Sequence, residues 1–243
     1  MKIDVNCDLG EGIVNEHLLI PFISSCNIAC GGHFGDANSI DKTIELAIEK
    51  NVLIGAHPSF PDKKNFGRKV MQISDDELKL SIQNQLDLFL ERLSKLKGKL
   101  HHIKPHGALY NLIAEDEKAA ENFIESIKKY LKDVFLYVPY NSEIEKVALK
   151  NNIKIKYEAF ADRNYNDNLK LVSRKEENAV ITKSKEVLNH ILKMVSDGKV
   201  KTISGIEKTI KVDTFCVHGD NENSLEILKY ASEELSKKGI QIG

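Results

Sequence analysis

Short runs of β-branched and apolar residues alternate with long helical patterns along the chain, and this alternation constrains the fold more than any other feature. Strand–helix–strand units predict parallel strands joined by right-handed crossovers. Seven strand-like runs occupy residues 3–7, 24–30, 52–56, 100–104, 134–138, 154–160 and 214–217. Seven units in 243 residues suit a closed α/β barrel of the (β/α)7, TIM-type class. We predict a single domain over residues 1–243, with an open doubly wound sheet as the alternative.

Amphipathic stripes fill the segments between these runs. Ser74 and Glu77 form a capping box, and apolar residues then recur at helical spacing until Gly98. Further apolar stripes lie within 40–48, 123–131, 187–195 and 225–235. The short, glycine-broken stretch 199–212 predicts a small hairpin or an inserted loop before the last strand.

Charge and hydropathy exclude several classes of protein. The chain has 35 Lys and Arg against 36 Asp and Glu, without the basic surplus that nucleic-acid or anionic-membrane binding requires. No apolar run reaches the roughly 18–20 residues that span a bilayer, and the first residues lack the pattern of a signal peptide. We therefore expect a cytoplasmic protein that binds neither nucleic acid nor membranes, with its four cysteines as reduced, mostly buried thiols.

Four histidines, each beside a glycine or a proline, follow four different predicted strands: His33, His57, His106 and His218. Ligands of parallel α/β folds bind at the carboxyl ends of the strands, so these histidines predict one shared functional site. The remaining histidines are interpreted as structural or exposed, and two of them open a strand at the opposite end: His17, His190, His101 and His102.

The acidic and basic residues near those histidines leave two chemistries open. Asp8 and Glu11, together with the imidazoles, could hold a divalent metal or carry out general acid–base catalysis without one. Lys104 could face a phosphate, a carboxylate or a developing negative charge, and Arg163 could clamp a substrate carboxylate. Alternatively, Lys104 is an ordinary surface lysine and Arg163 forms a salt bridge. Neither common nucleotide-binding loop is present.

Six ordered segments resemble the LamB/YcsF family. The resemblance covers residues 4–220, nearly the whole chain, and rests on these segments: NCDLGEG at 6–12, NIACGGHFGD at 27–36, IGAHPSFPD at 54–62 followed by FGR at 66–68, KPHGALYN at 104–111, FADRNY at 160–165 and CVHGD at 216–220.

This resemblance implies a fold and a reaction. The fold is a (β/α)7 barrel related to metal-dependent polysaccharide deacetylases. The reaction is the ATP-dependent opening of 5-oxo-L-proline to L-glutamate, carried out with two partner subunits, B and C. ATP, with Mg²⁺, is then a co-substrate, and a divalent metal in the barrel mouth is possible.

The resemblance also suggests roles for individual residues, which we state as hypotheses. The catalytic group comprises Asp8, Glu11, Lys104 and His106. The substrate-binding group comprises Asn6, His33, Asp162 and Arg163. The metal ligands comprise Asp8, His33, His57 and His218.

Two departures from the family pattern and two other functions complete the expectations. The family usually has an aromatic residue where Gly32 stands and a proline where Ser173 stands. The first change predicts a looser pocket wall, and the second a softer loop. A stand-alone metal-dependent deacetylase or amidohydrolase acting without ATP is the main alternative function. A non-catalytic carbohydrate-binding or amino-acid-binding protein is the other.

Overall fold

The structure is a computed structural model that describes residues 1–14 and 16–243. Its strands are β1 (Lys2–Leu9), β2 (Ser25–Ala29), β3 (Leu53–His57), β4 (Leu100–Ile103), β5 (Phe135–Pro139), β6 (Ile155–Phe160), β7 (Lys199–Lys201), β8 (Glu207–Thr209), β9 (Thr214–Cys216) and β10 (Gln241–Ile242). Its α-helices are α1 (Glu16–Leu19), α2 (Ala37–Glu49), α3 (Asp75–Lys95), α4 (Gly107–Glu115), α5 (Glu117–Ile127), α6 (Glu143–Lys150), α7 (Ser184–Asp197) and α8 (Ser224–Lys237).

The chain forms two compact units. The first unit comprises Met1–Cys7, Asn15–Ser24 and Tyr157–Gly243, and the second comprises Asp8–Val14 and Ser25–Lys156. The single domain over 1–243 therefore stays a prediction.

The second unit contains four parallel strands that pair in chain order, β2–β3–β4–β5. Ala29 lies opposite His57, and Ala56 lies opposite Ile103, so these strands end at nearly the same level. The loops that follow them consequently leave the sheet at one edge, where a ligand site of a parallel α/β fold is expected.

The first unit pairs the beginning of the chain with its end. β9 pairs in parallel with both β1 and β6, so the first strand lies directly beside the last strand of the strand–helix series. That neighbourhood is typical of a closed barrel, and it confirms the (β/α)7 barrel over the open doubly wound sheet. β7 and β8 form an antiparallel hairpin, which confirms the hairpin predicted within 199–212.

The longest helix, α3, begins and ends as its sequence predicts. The Ser74 hydroxyl accepts from the Glu77 N–H, while the Glu77 carboxylate accepts from the Ser74 N–H. Its buried stripe consists of Ile82, Gln85, Leu86, Phe89 and Leu93. The single polar member of this stripe, Gln85, takes part in the site described below.

Sequence periodicity overlooked two helices of the second unit. α4 begins immediately after His106, within the segment interpreted as a site loop, and α6 is only eight residues long. Short helices hold few turns, so their apolar periodicity is weak evidence. Among the described residues, none of the helices is both long enough and apolar enough to cross a membrane.

Candidate active site

Six of the predicted site residues lie together in the second unit, and all of them are at most 6% exposed. We call this group the Asp8 cluster; it consists of Asp8, Glu11, His33, His57, Lys104 and His106. Asp8 comes from the end of β1, and Glu11 from the loop that follows it. The others come from β3 or from the segments that follow β2 and β4. The sequence therefore correctly predicted a shared group at strand ends.

Glu11 is the centre of the three imidazoles. Its Oε1 lies 2.8 Å from His33 Nε2, 3.3 Å from His106 Nδ1 and 4.0 Å from His57 Nε2. A buried carboxylate needs hydrogen bonds or positive charge to remain ionised, and ring nitrogens surround this one.

Asp8 has a different set of partners. Its Oδ1 accepts a hydrogen bond of 2.8 Å from Asn27 Nδ2 and one of 2.9 Å from Lys104 Nζ. Its Oδ2 lies 3.4 Å from His57 Nε2. Since the Lys104 side chain is buried with only 2% of the residue exposed, Asp8 and Lys104 form a buried ion pair.

Hydrogen bonds to backbone carbonyls define the tautomers of His57 and His106. His57 Nδ1 donates to Lys104 O at 2.7 Å, and His106 Nε2 donates to Phe66 O at 3.0 Å. Burial and the nearby His57 and His33 hold the pKa of His106 well below 6.5, so the ring is neutral and its Nδ1 carries a lone pair. That Nδ1 faces His57 Nε2 at 3.0 Å. The close approach needs a cation between the two nitrogens, either a proton on His57 or a metal ion.

His33 supports Glu11 from the side. Burial, and then the neighbouring His57, lowers the pKa of His33 to about 3, so this ring is also neutral. It stacks on His106 with ring centroids 3.7 Å apart and planes 2° from parallel. Because Nε2 donates to Glu11, Nδ1 is a buried acceptor, and it has no hydrogen-bond partner among the described residues.

Two glycines allow the loops that carry these rings to pack together. Gly107 has φ +56°, and a Cβ on it would lie 2.8 Å from Gly67 O. Gly67 has φ +63°, and a Cβ there would approach both His33 Cβ and His106 Cδ2 to 3.0 Å. Side chains rarely adopt this backbone conformation, so glycine is required at both positions.

The looser pocket wall predicted at Gly32 is wrong. A Cβ at Gly32 would lie 2.3 Å from Gln85 Oε1 and 2.5 Å from Ser59 Oγ. Gln85 occupies this space: its Oε1 accepts from Ser59 N, and its Nε2 donates to Ser59 O, both at 2.9 Å. The absent side chain is therefore replaced by a buried hydrogen-bonded contact that fixes the segment after His57.

The predicted site residues of the first unit form a separate set of contacts. Asp162 is fully buried, and its Oδ1 accepts from His218 Nδ1 at 2.8 Å, while its Oδ2 accepts from Asn221 Nδ2 at 3.1 Å. Burial alone would raise the pKa of Asp162, but the charge and hydrogen bonds of His218, with that of Asn221, keep it below the ordinary value. Asn6 is also buried and donates to Thr214 Oγ1 at 2.7 Å.

Arg163 has a structural role that the sequence did not predict. Its Nε donates to Ala179 O at 3.1 Å, and one of its terminal nitrogens donates to Val172 O at 2.6 Å. These bonds tie both sides of the segment 164–180 to the end of β6. The substrate-carboxylate clamp stays a prediction.

Four members of the Asp8 cluster fit a metal ion. One ligand atom each from Asp8, Glu11, His57 and His106 lie within 4.8 Å of one another. Two imidazoles and two carboxylates form a donor set suited to zinc or a related divalent ion. Both imidazoles are oriented by carbonyl acceptors on their other nitrogen, as metal-binding histidines usually are. The predicted metal set shared Asp8 and His57 with this group and named His33 and His218 in place of Glu11 and His106.

Three buried polar residues beside the Asp8 cluster were missed as site residues: Asn27, Gln85 and His102. Asn27 lies in a quoted family segment but has no charge to draw attention to it. His102 was interpreted as structural or exposed, and it is fully buried. The glycines at 32 and 55, which make room for Gln85 and His102, were the available signals.

Comparisons with known proteins cover the whole chain. The model of the LamB/YcsF family matches residues 3–243. A relative from Staphylococcus aureus strain JH9, named as the A-type subunit of 5-oxoprolinase, is 41% identical over 254 residues, covering 100% of this chain and 99% of the relative. The crystal structure of a lactam utilization protein from Thermus thermophilus is 32% identical, with a TM-score of 0.92 over 100% of this chain and 99% of that one.

Proposed function

Because the chain belongs to the LamB/YcsF family, we propose that it hydrolyses 5-oxo-L-proline to L-glutamate with ATP, as the A-type member of a complex with two partner subunits, B and C. The observation that carries the proposal is the full-length similarity to relatives named as the corresponding component of 5-oxoprolinase. The buried Asp8 cluster supports it with groups suited to amide hydrolysis. We place the reaction in the cytoplasm, where ATP is available.

The chemistry explains why ATP is needed. A five-membered lactam forms readily from glutamate, so its hydrolysis needs a coupled energy source. Phosphoryl transfer from ATP to the lactam oxygen releases ADP and makes the ring carbon a better electrophile. Water then adds to that carbon, the ring C–N bond breaks, the nitrogen gains a proton, and phosphate is released on further hydrolysis.

The Asp8 cluster has groups for the hydrolytic half of this sequence. Asp8 and Glu11 are acceptors that hold and deprotonate water, and Lys104 and His106 face the charge that develops on the phosphoryl group or the oxyanion. Buried in a region of low dielectric, the Lys104 ammonium interacts more strongly with that charge than it would in water.

A divalent metal would be held by Asp8, Glu11, His57 and His106. When bound, it would supply a water of lowered pKa and polarise the substrate oxygen. Asn6, His33, Asp162 and Arg163 are proposed to bind substrate, and His218, oriented by Asp162, is proposed as an acid–base group or metal ligand.

The test is glutamate and ADP release from 5-oxo-L-proline and ATP, first with this chain alone and then with both partner subunits. We expect glutamate only with the partners, in proportion to ADP. Amide hydrolysis by this chain alone without ATP would favour the amidohydrolase function. Absence of glutamate with folded partners would refute the proposal.

Metal binding has a separate readout. After dialysis against a chelator, added Zn²⁺ or Mn²⁺ should raise the melting temperature of the wild-type chain by several degrees, since a ligand of the folded state stabilises it. His57→Gln and His106→Gln should lose most of this shift, whereas His17→Gln, at an exposed position in α1, should keep it. An equal shift in all four proteins would exclude the assigned ligands.

A further inference from the structure

A line of polar side chains extends behind Asp8 through the second unit. Asn27 Nδ2 lies 2.8 Å from Asp8 Oδ1, and Asn27 Oδ1 lies 2.7 Å from His102 Nε2. His102 Nδ1 in turn lies 3.0 Å from Nδ1 of the half-buried His101. Neither histidine belongs to the Asp8 cluster, and none of the roles assigned above uses them.

The acceptors in this line determine the direction of every hydrogen bond. An ionised carboxylate only accepts, so the Asn27 amide donates to Asp8 and its carbonyl oxygen must accept from His102. Burial, and then the nearby His101 and Lys104, hold the pKa of His102 well below 6.5, so its ring is neutral. With its proton on Nε2, the His102 Nδ1 accepts from the His101 Nδ1–H. All three donors therefore point toward Asp8, and aligned bonds of this kind strengthen one another.

The His102 ring is held in one orientation. It stacks on Tyr137 with centroids 3.9 Å apart and planes 3° from parallel. On the neighbouring strand, Gly55 lies opposite His102, and a Cβ there would come within 2.1 Å of Nε2. Glycine inside a strand costs about 0.5–1 kcal/mol relative to alanine, so its presence in β3 indicates a need for this space.

We propose that Asn27 and His102 are positioning residues, which orient the Asp8 carboxylate for the reaction through this line of hydrogen bonds. With Oδ1 held by Asn27 and Lys104, Oδ2 is directed toward His57 Nε2. His101 completes the line by fixing the tautomer of His102. The catalytic part of this inference rests on the proposed function, whereas the hydrogen-bond directions do not.

A matched pair of variants tests the proposal in the complete three-subunit enzyme. His102→Phe keeps the flat ring beside Gly55 and Tyr137 but removes the donor to Asn27. We expect kcat to fall about 10- to 100-fold with KM within about 2-fold. His102→Gln restores an N–H donor and should recover kcat to within about 5-fold of wild type. His101→Phe, at the half-buried end of the line, should lower kcat about 3-fold and serves if His102→Phe does not fold.

NMR of the ¹⁵N-labelled full chain tests the same line without turnover. We expect His102 as the neutral Nε2–H tautomer at pH 7, and a displaced Asn27 side-chain amide signal in His102→Phe but not in His17→Gln. A His102 with its proton on Nδ1, or a folded His102→Phe with wild-type kcat, would overturn the proposal. If the wild-type complex releases no glutamate, the proposed function fails, and the NMR result still decides the direction of the line.

Discussion

Asp8 has two tasks at the residue scale, and they are coupled. It is a candidate catalytic carboxylate, and it is also the counter-ion of the buried Lys104 ammonium. The sequence alone suggests that Asp8 can be neutralised without affecting stability. The ion pair changes that expectation, because removing one partner of a buried pair is strongly destabilising.

We predict that Asp8→Asn abolishes turnover and lowers the free energy of unfolding by about 3 kcal/mol. Adding Lys104→Met removes the buried charge and should recover at least half of that loss without restoring activity. Urea denaturation of the metal-depleted wild-type, single-variant and double-variant chains measures both effects. An Asp8→Asn chain as stable as wild type would contradict the role of the ion pair.

The residue types of the Asp8 cluster were predictable, but their partners were not. Carboxylates and imidazoles after successive strands indicate a shared site, because parallel strands end at one edge. Hydrogen-bond direction and tautomer depend on backbone carbonyls such as Phe66 O and Lys104 O, which come from the three-dimensional packing of loops. Arg163 illustrates the same limit, since its charge suggested a substrate while its bonds go to two carbonyls.

At the scale of elements, α3 holds the segment that follows β3. Gln85 projects from its buried stripe and satisfies both the N–H and the C=O of Ser59, two residues after His57. Helix α3 itself was predicted well, because a capping box and a long apolar stripe are strong local signals. A glutamine in that stripe carries no such signal.

We predict that Gln85→Leu lowers the free energy of unfolding by about 2 kcal/mol, since it leaves two buried backbone groups without these bonds. Asn84→Leu, at an exposed position of the same helix, should change it by less than about 0.5 kcal/mol. Guanidinium denaturation of both variants makes the comparison. Equal stabilities would show that the Ser59 contact contributes nothing measurable.

At the scale of the whole molecule, buried neutral histidines make stability depend on pH. The pKa values of His33, His102, His106 and His190 all lie below 6.5 in the fold, chiefly because of burial. In the unfolded chain these rings take up protons near pH 6.5, so below that value the unfolded state binds more protons than the folded state. Stability should therefore fall as the pH decreases from about 6.5 toward 4.

His190 isolates one contribution to this effect. Burial lowers its pKa to about 4, its Nε2 has no hydrogen-bond partner among the described residues, and its ring stacks on Tyr165. We predict that His190→Phe keeps the stacking and reduces the stability lost between pH 7 and pH 5 by about 1 kcal/mol, a value lowered for its partial exposure. Denaturation curves at the two pH values test this, with His17→Gln as the control. An unchanged pH dependence would contradict the prediction.

The four cysteines, all buried thiols, give each compact unit its own chemical reporters. Cys7 and Cys216 lie in the first unit, and Cys26 and Cys30 lie in the second. Burial raises the pKa of Cys30 to about 12, so alkylating reagents meet almost no thiolate there while the fold is closed. Labelling of the native chain thus records opening events, one unit at a time. Four thiols modified at one common rate would mean that both units open in a single event, as one cooperative domain; two pairs with different rates would mean two independently opening units.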